Sequence, residues 1–153
     1  MGYDLWWHDA AAELDAHEPK HITGDDDLRA WDEIWTRHHP TAHFGANAGG
    51  MRQLCDAMEA LGMVYPSEPG AWPDDEALFG DHLRLAGVQE RPGIPRHKLG
   101  STNDHWHVTP LEIQGAFAQL QRARRTSEPL PDWWVEWLEW LGDAIEHGGL
   151  VNG

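Results

Sequence analysis

The sequence predicts a mostly helical α+β domain, with four to five amphipathic helices beside a small antiparallel sheet. Three observations lead there. Two stretches, 25–39 and 132–149, carry apolar residues at helical pitch with charged residues opposite. The aromatic "YDLWW" at 3–7 alternates like a strand. "IPRHKLGSTNDHWHV" at 94–108 places a polar turn between two arms and reads as a hairpin around 95–108. With 153 residues, no internal repeat and no low-complexity tract, 1–153 is read as one domain. A chain of this length buries roughly two thirds of its unfolded surface.

Taken in order, Tyr3, Leu5 and Trp7 share one face of the first strand. "AAAELDA" at 10–16 favours a short helix that Pro19 stops. In "DDDLRAWDEIWTRHH", Leu28, Trp31, Ile34, Trp35 and His38 form one stripe, acidic residues open the helix and basic ones close it. Arg29–Glu33 and Glu33–Arg37 are four apart on the outer face, and Pro40 ends the run. "HFGANAGG" at 43–50 is glycine-rich but lacks the lysine and preceding strand of a phosphate loop, so it leads into the next helix. That helix, 51–62, puts Met51, Leu54, Cys55, Met58 and Leu61 on one side, with Gly62 just past its end. A proline-rich loop at 64–73, a helix from about 75 to 86 and a turn-rich 87–95 follow.

"TPLE" at 109–112 is a helix start with a mechanism. Thr109 can accept the Glu112 N–H, Glu112 can reach back, and Pro110 suits the first helical position. The helix buries Ile113, Ala116, Phe117 and Leu120, and its basic end "QRARR" suits a C-terminus. In "DWWVEWLEWLGDAIEHGG", Asp132 is the expected cap, and Trp133, Trp134, Trp137, Leu138, Trp140, Leu141, Ala144 and Ile145 fall on one arc. Four tryptophans at this spacing are expected in the core, the alternative being an exposed partner groove.

Formal charge bounds the partners. At −15, from 26 acidic against 11 basic residues, the surface repels phosphate backbones and argues against direct binding of nucleic acid. It suits a protein partner with a basic surface. Cys55 is the single cysteine, so neither an internal disulfide nor a multi-cysteine metal cluster is expected. "MGYDLWWHDA" has no signal-peptide character, and no apolar run is long enough to span a membrane. A cytosolic protein is expected.

Eleven histidines raise the question of a metal. "HEPKH" at 17–21 matches the zinc-protease spacing, but Pro19 denies it the helix on which those positions share a face. Pro40 likewise interrupts His39 and His43 in "HHPTAH". The stronger candidate is "GSTNDHWHV". In an extended "HWHV", His105 and His107 share a face about 7 Å apart while Trp106 and Val108 point inward. A hairpin would bring His97 or Lys98 beside them, with Asn103 and Asp104 at the turn. His97, His107 and His105 could then ligate zinc or a similar divalent ion, with Asp104 as ligand or base. Alternatively Lys98, Asn103, Asp104 and Trp106 recognise a polar ligand without metal, or the hairpin is only structural.

"MGYDLWW", "GIPRHKLGSTNDHWHVTPLE" and "DWWVEWLEWLGDAIEHGG", in that order, resemble a group of small hypothetical proteins of high-GC bacteria and their phages. The resembling pieces cover about a third of the chain. An inserted Thr102, and His105 where the group's pattern has glycine, are departures. A position that tolerates glycine is a poor essential ligand, which ranks His105 below His97 and His107. The resemblance implies a common organisation and a phage setting with an accessory or inhibitory role; it implies no activity.

Three functions are therefore carried forward. The first is an acidic binding or regulatory protein acting on a basic partner. The second is a small metal-dependent hydrolase built on the histidines. The third is a binder of aromatic small molecules through exposed tryptophan.

Overall fold

The computed structural model describes residues 2–18, 25–68, 92–100, 106–123 and 127–153. In chain order they form β1 (Gly2–Trp7), α1 (His8–His17), α2 (Asp25–His38), β2 (His43–Asn47), α3 (Ala48–Ala60), β3 (Val64–Tyr65) and β4 (Ile94–Pro95). There follow α4 (His97–Gly100), β5 (Trp106–Val108), α5 (Pro110–Arg122), α6 (Trp134–Ala144), a 3-10 turn (Ile145–His147) and β6 (Leu150–Asn152). This is the mostly helical α+β architecture that the sequence predicts. Among these residues no helix is long and apolar enough to cross a membrane.

The main sheet has the order β2-β1-β6-β5, and every neighbouring pair is antiparallel. The hairpin expected around 95–108 does not form. Ile94–Pro95 instead pairs in parallel with Val64–Tyr65, and residues 97–100 turn into a helix. Trp106–Val108 pairs with Leu150–Asn152, from the far end of the sequence. Local turn chemistry near Asn103 suggested a reversal, but the alternating Trp106 and Val108 found a better apolar match elsewhere. Three strands, β2, β3 and β6, lie where the sequence suggested none, β3 falling at the start of the loop expected at 64–73. The helix expected at 75–86 falls outside the described residues.

The helices follow their local signals more closely. α3 buries Met51, Leu54, Cys55 and Met58, and Gly62 takes a positive φ of 76° just past its end. At α5 both halves of the capping box are present, with the Glu112 N–H donating to Thr109 Oγ1 and Glu112 Oε1 accepting the Thr109 N–H. At α6 the cap is Trp133, without a side-chain bond, rather than Asp132.

The apolar arc of α6 supplies much of the core. Trp134, Trp137, Trp140, Leu141 and Ala144 are buried, joined by Leu5 and Trp7 of β1 and Leu150 of β6. These tryptophans therefore form core, not an open groove. The Trp7 Nε1–H donates to the Trp140 carbonyl, and the Trp140 Nε1–H to the Thr41 carbonyl. Trp137 is fully buried, and no described residue accepts from its Nε1. Burying an indole yields about 4–6 kcal/mol of gross driving force, against about 1–3 kcal/mol for a donor left without a partner. Burial wins.

Candidate functional site

Strand alternation sends Leu5 and Trp7 into the core and turns Trp6 to the other face, where it is half-buried. α1 begins at His8, and Ala11, Leu14 and Asp15 fall at three- and four-residue spacing along one side of it, with Glu18 just past its end. α2 contributes Trp31 and Trp35, four apart and both half-buried. Together these residues line a cavity of about 220 Å³, completed by Val151 and Gly153 beyond β1. Trp6 meets Trp35 edge-on, ring centroids 6.3 Å apart.

Imidazoles brace these indoles. His39 stacks on Trp35 at 4.4 Å with planes 10° apart, and His43 lies 4.6 Å from Trp6. His39 and His43, which Pro40 was expected to separate, come within 4.9 Å of each other. His43 is fixed in turn by Asp4, its Nε2 being 2.9 Å from the carboxylate. α2 is tied to α1 through Glu13, which pairs with Arg37 and, at 2.6 Å, with His38. The hydrogen bond with His38 leads, and the charges of Arg37 and His38 add to it. They hold the Glu13 carboxyl below its ordinary value despite some desolvation.

Three indoles line one small space together with two carboxylates. Such a space attracts a cation, an indole face in contact with it contributing about 0.5–2 kcal/mol as water is excluded. Trp31 and Trp35 belong to the single stripe that the sequence predicts for α2. The stripe is real, but Trp31, Ile34, Trp35 and His38 are only half-buried and Leu28 is 40% exposed. The signal that could have found the site is the matching of an aromatic i, i+4 pair on α2 with the carboxylates of Asp15 and Glu18 at the end of α1.

The residues singled out from the sequence do not converge. His97 is buried, its N–H donating to Ser67 Oγ at 3.1 Å and its ring set edge-on to Trp106 at 4.5 Å. Trp106 packs inward as expected, while His107 points to the opposite side of β5. There the His107 Nε2–H donates to the Gly148 carbonyl (2.8 Å) and its ring stacks on His8 at 4.2 Å. Lys98, expected at a binding surface, is 1% exposed and paired with Glu112. Asn103, Asp104 and His105 lie outside the described residues. Among those described, no group of three or more His, Cys, Asp or Glu is arranged to hold a metal ion.

Compared with known protein families, with curated proteins and with solved structures, the chain matches none.

Proposed function

We propose that this protein is a binding module for a basic protein partner, seating one cationic side chain of that partner among Trp6, Trp31 and Trp35. The observation that carries the reading is the joint lining of one cavity by three indoles and the carboxylates of Asp15 and Glu18. The chain's charge of −15 adds long-range attraction for a basic surface and speeds encounter with it. A resemblance to small hypothetical proteins of high-GC bacteria and their phages fits an accessory or inhibitory role exerted by binding alone.

The test is an NMR titration of the tryptophan indole N–H signals with N-acetyl-lysine amide and with its uncharged counterpart, N-acetyl-norleucine amide. The lysine compound should shift the Trp6 and Trp35 signals, and Trp35→Ala should weaken binding about tenfold, or roughly 1.4 kcal/mol. Asp15→Asn with Glu18→Gln should weaken it further at low salt than at high salt. Equal binding of the uncharged compound, or an unchanged affinity in Trp35→Ala, would overturn the reading.

A further inference from the structure

β2 is an edge strand of the main sheet. Its pairing with β1 fixes which backbone groups remain outside. The Trp7 N–H donates to the Ala42 carbonyl, whereas Asp4 and His8 exchange bonds with Gly153 and Gly149 on the other side. Tyr3, Leu5 and Trp7 therefore turn toward β2, where their partners in register are Ala46, Phe44 and Ala42. By alternation, the N–H and C=O of Gly45 and the C=O of His43 point away from the sheet. Gly45 is exposed, and no described residue bonds to its backbone.

A groove of about 370 Å³ runs along this edge, lined by Phe44 and Asn47 of the strand and by Trp133 and Glu136 at the start of α6. The Phe44 and Trp133 rings are 5.4 Å apart and give it an aromatic floor. An edge with outward backbone groups beside a groove that holds aromatic rings accepts an added strand, since main-chain bonds supply affinity and alternate side chains enter the groove. Two copies of a chain carrying −15 repel each other, and Glu136 disfavours an anionic occupant.

We infer that an extended, lysine- or arginine-bearing segment of a partner protein pairs with β2 through Gly45 and lays alternate side chains against Phe44 and Trp133. This site is separate from the tryptophan cavity and does not depend on the reading given for it.

The test uses the full chain and a blocked eight-residue peptide of alternating lysine and threonine. Bound peptide should slow hydrogen exchange of the Gly45 amide about tenfold or more. Gly45→Ala, which keeps the N–H, should bind normally, whereas Gly45→Pro should lose about tenfold in affinity. A peptide methylated on alternate backbone nitrogens keeps its charge and should bind as poorly to the unaltered protein, so the test survives a misfolded proline variant. In Trp35→Ala the bound peptide should still protect the Gly45 amide, a local readout that separates this site from the cavity. Equal binding of the methylated peptide, no binding at low salt, or self-association that Gly45→Pro abolishes would each overturn the inference.

Discussion

The Lys98 ammonium lies 2.8 and 3.0 Å from the two carboxylate oxygens of Glu112, with both side chains closed off from water. Glu112 Oε1 also accepts from the Thr109 N–H and hydroxyl, so one carboxylate serves both the ion pair and the α5 cap. Asn152 of β6 donates to the Lys98 and Leu99 carbonyls. Desolvation lowers the Lys98 pKa, opposed by the charge and hydrogen bonds of Glu112. The unfolded chain then holds more protons between the lowered and the ordinary value, so this group makes stability rise with pH across that interval. Lys98→Met should cost about 3–5 kcal/mol in urea unfolding by stranding the Glu112 charge. Adding Glu112→Gln, which keeps an acceptor for the cap, should recover most of it. A single variant as stable as the wild type would show that the pair is not what holds this corner.

Cys55 should be inert in the folded protein. Burial pushes its thiol up to about 12, and its side chain is fully enclosed on α3. A thiol reagent at mildly alkaline pH should label it only as fast as the chain opens globally, with labelling accelerating across the urea transition. Rapid labelling in native buffer would contradict the packing described.

Gly149 holds the junction between the last turn and β6. Its φ is +93°, and an added Cβ would collide with the Val108 carbonyl oxygen. Gly149→Ala therefore meets both backbone strain and a clash with β5, and should destabilise by about 2–4 kcal/mol in chemical denaturation. Exchange protection should fall first at the amides shared by β5 and β6.

Acid should loosen α2 before it unfolds the core. Glu13 is held below its ordinary pKa, so the stabilisation from its pairs with His38 and Arg37 is present above the ordinary carboxylate range. It is lost as pH falls through the lowered folded value. Glu13→Gln should give a melting temperature that declines less steeply between neutral pH and about pH 3 than the wild type. It should also loosen the tryptophan cavity at neutral pH, seen as exchange broadening of the Trp31 and Trp35 indole N–H signals. Identical acid profiles for the two proteins would remove Glu13 from this role.

Legibility in the sequence followed range. The α6 arc, the α3 stripe and the Thr109–Glu112 box are each written within at most about three helical turns, and each was readable. β2 was not, because "HFGAN" carries only one strongly strand-favouring residue and stands as an edge. β6 is three residues long after two glycines and acquires meaning only from β1 and β5. Lys98 looked exposed because its partner Glu112 reaches it through tertiary folding. Of the cavity, the sequence showed the aromatic stripe of Trp31 and Trp35 but not its depth, which depends on how completely α1 covers it.

β6 is made last among the described elements, yet it occupies an interior position of the sheet, between β1 and β5. On the ribosome, β1 must wait until residues 150–152 are made to gain its second neighbour, and β5 remains without a sheet until then. Folding of this predominantly helical protein is thus governed by a long-range closure and should be slower than its helix content alone suggests. A nascent chain halted before Leu150 should be readily cut by protease, and emergence of residues 150–152 should confer resistance in one step.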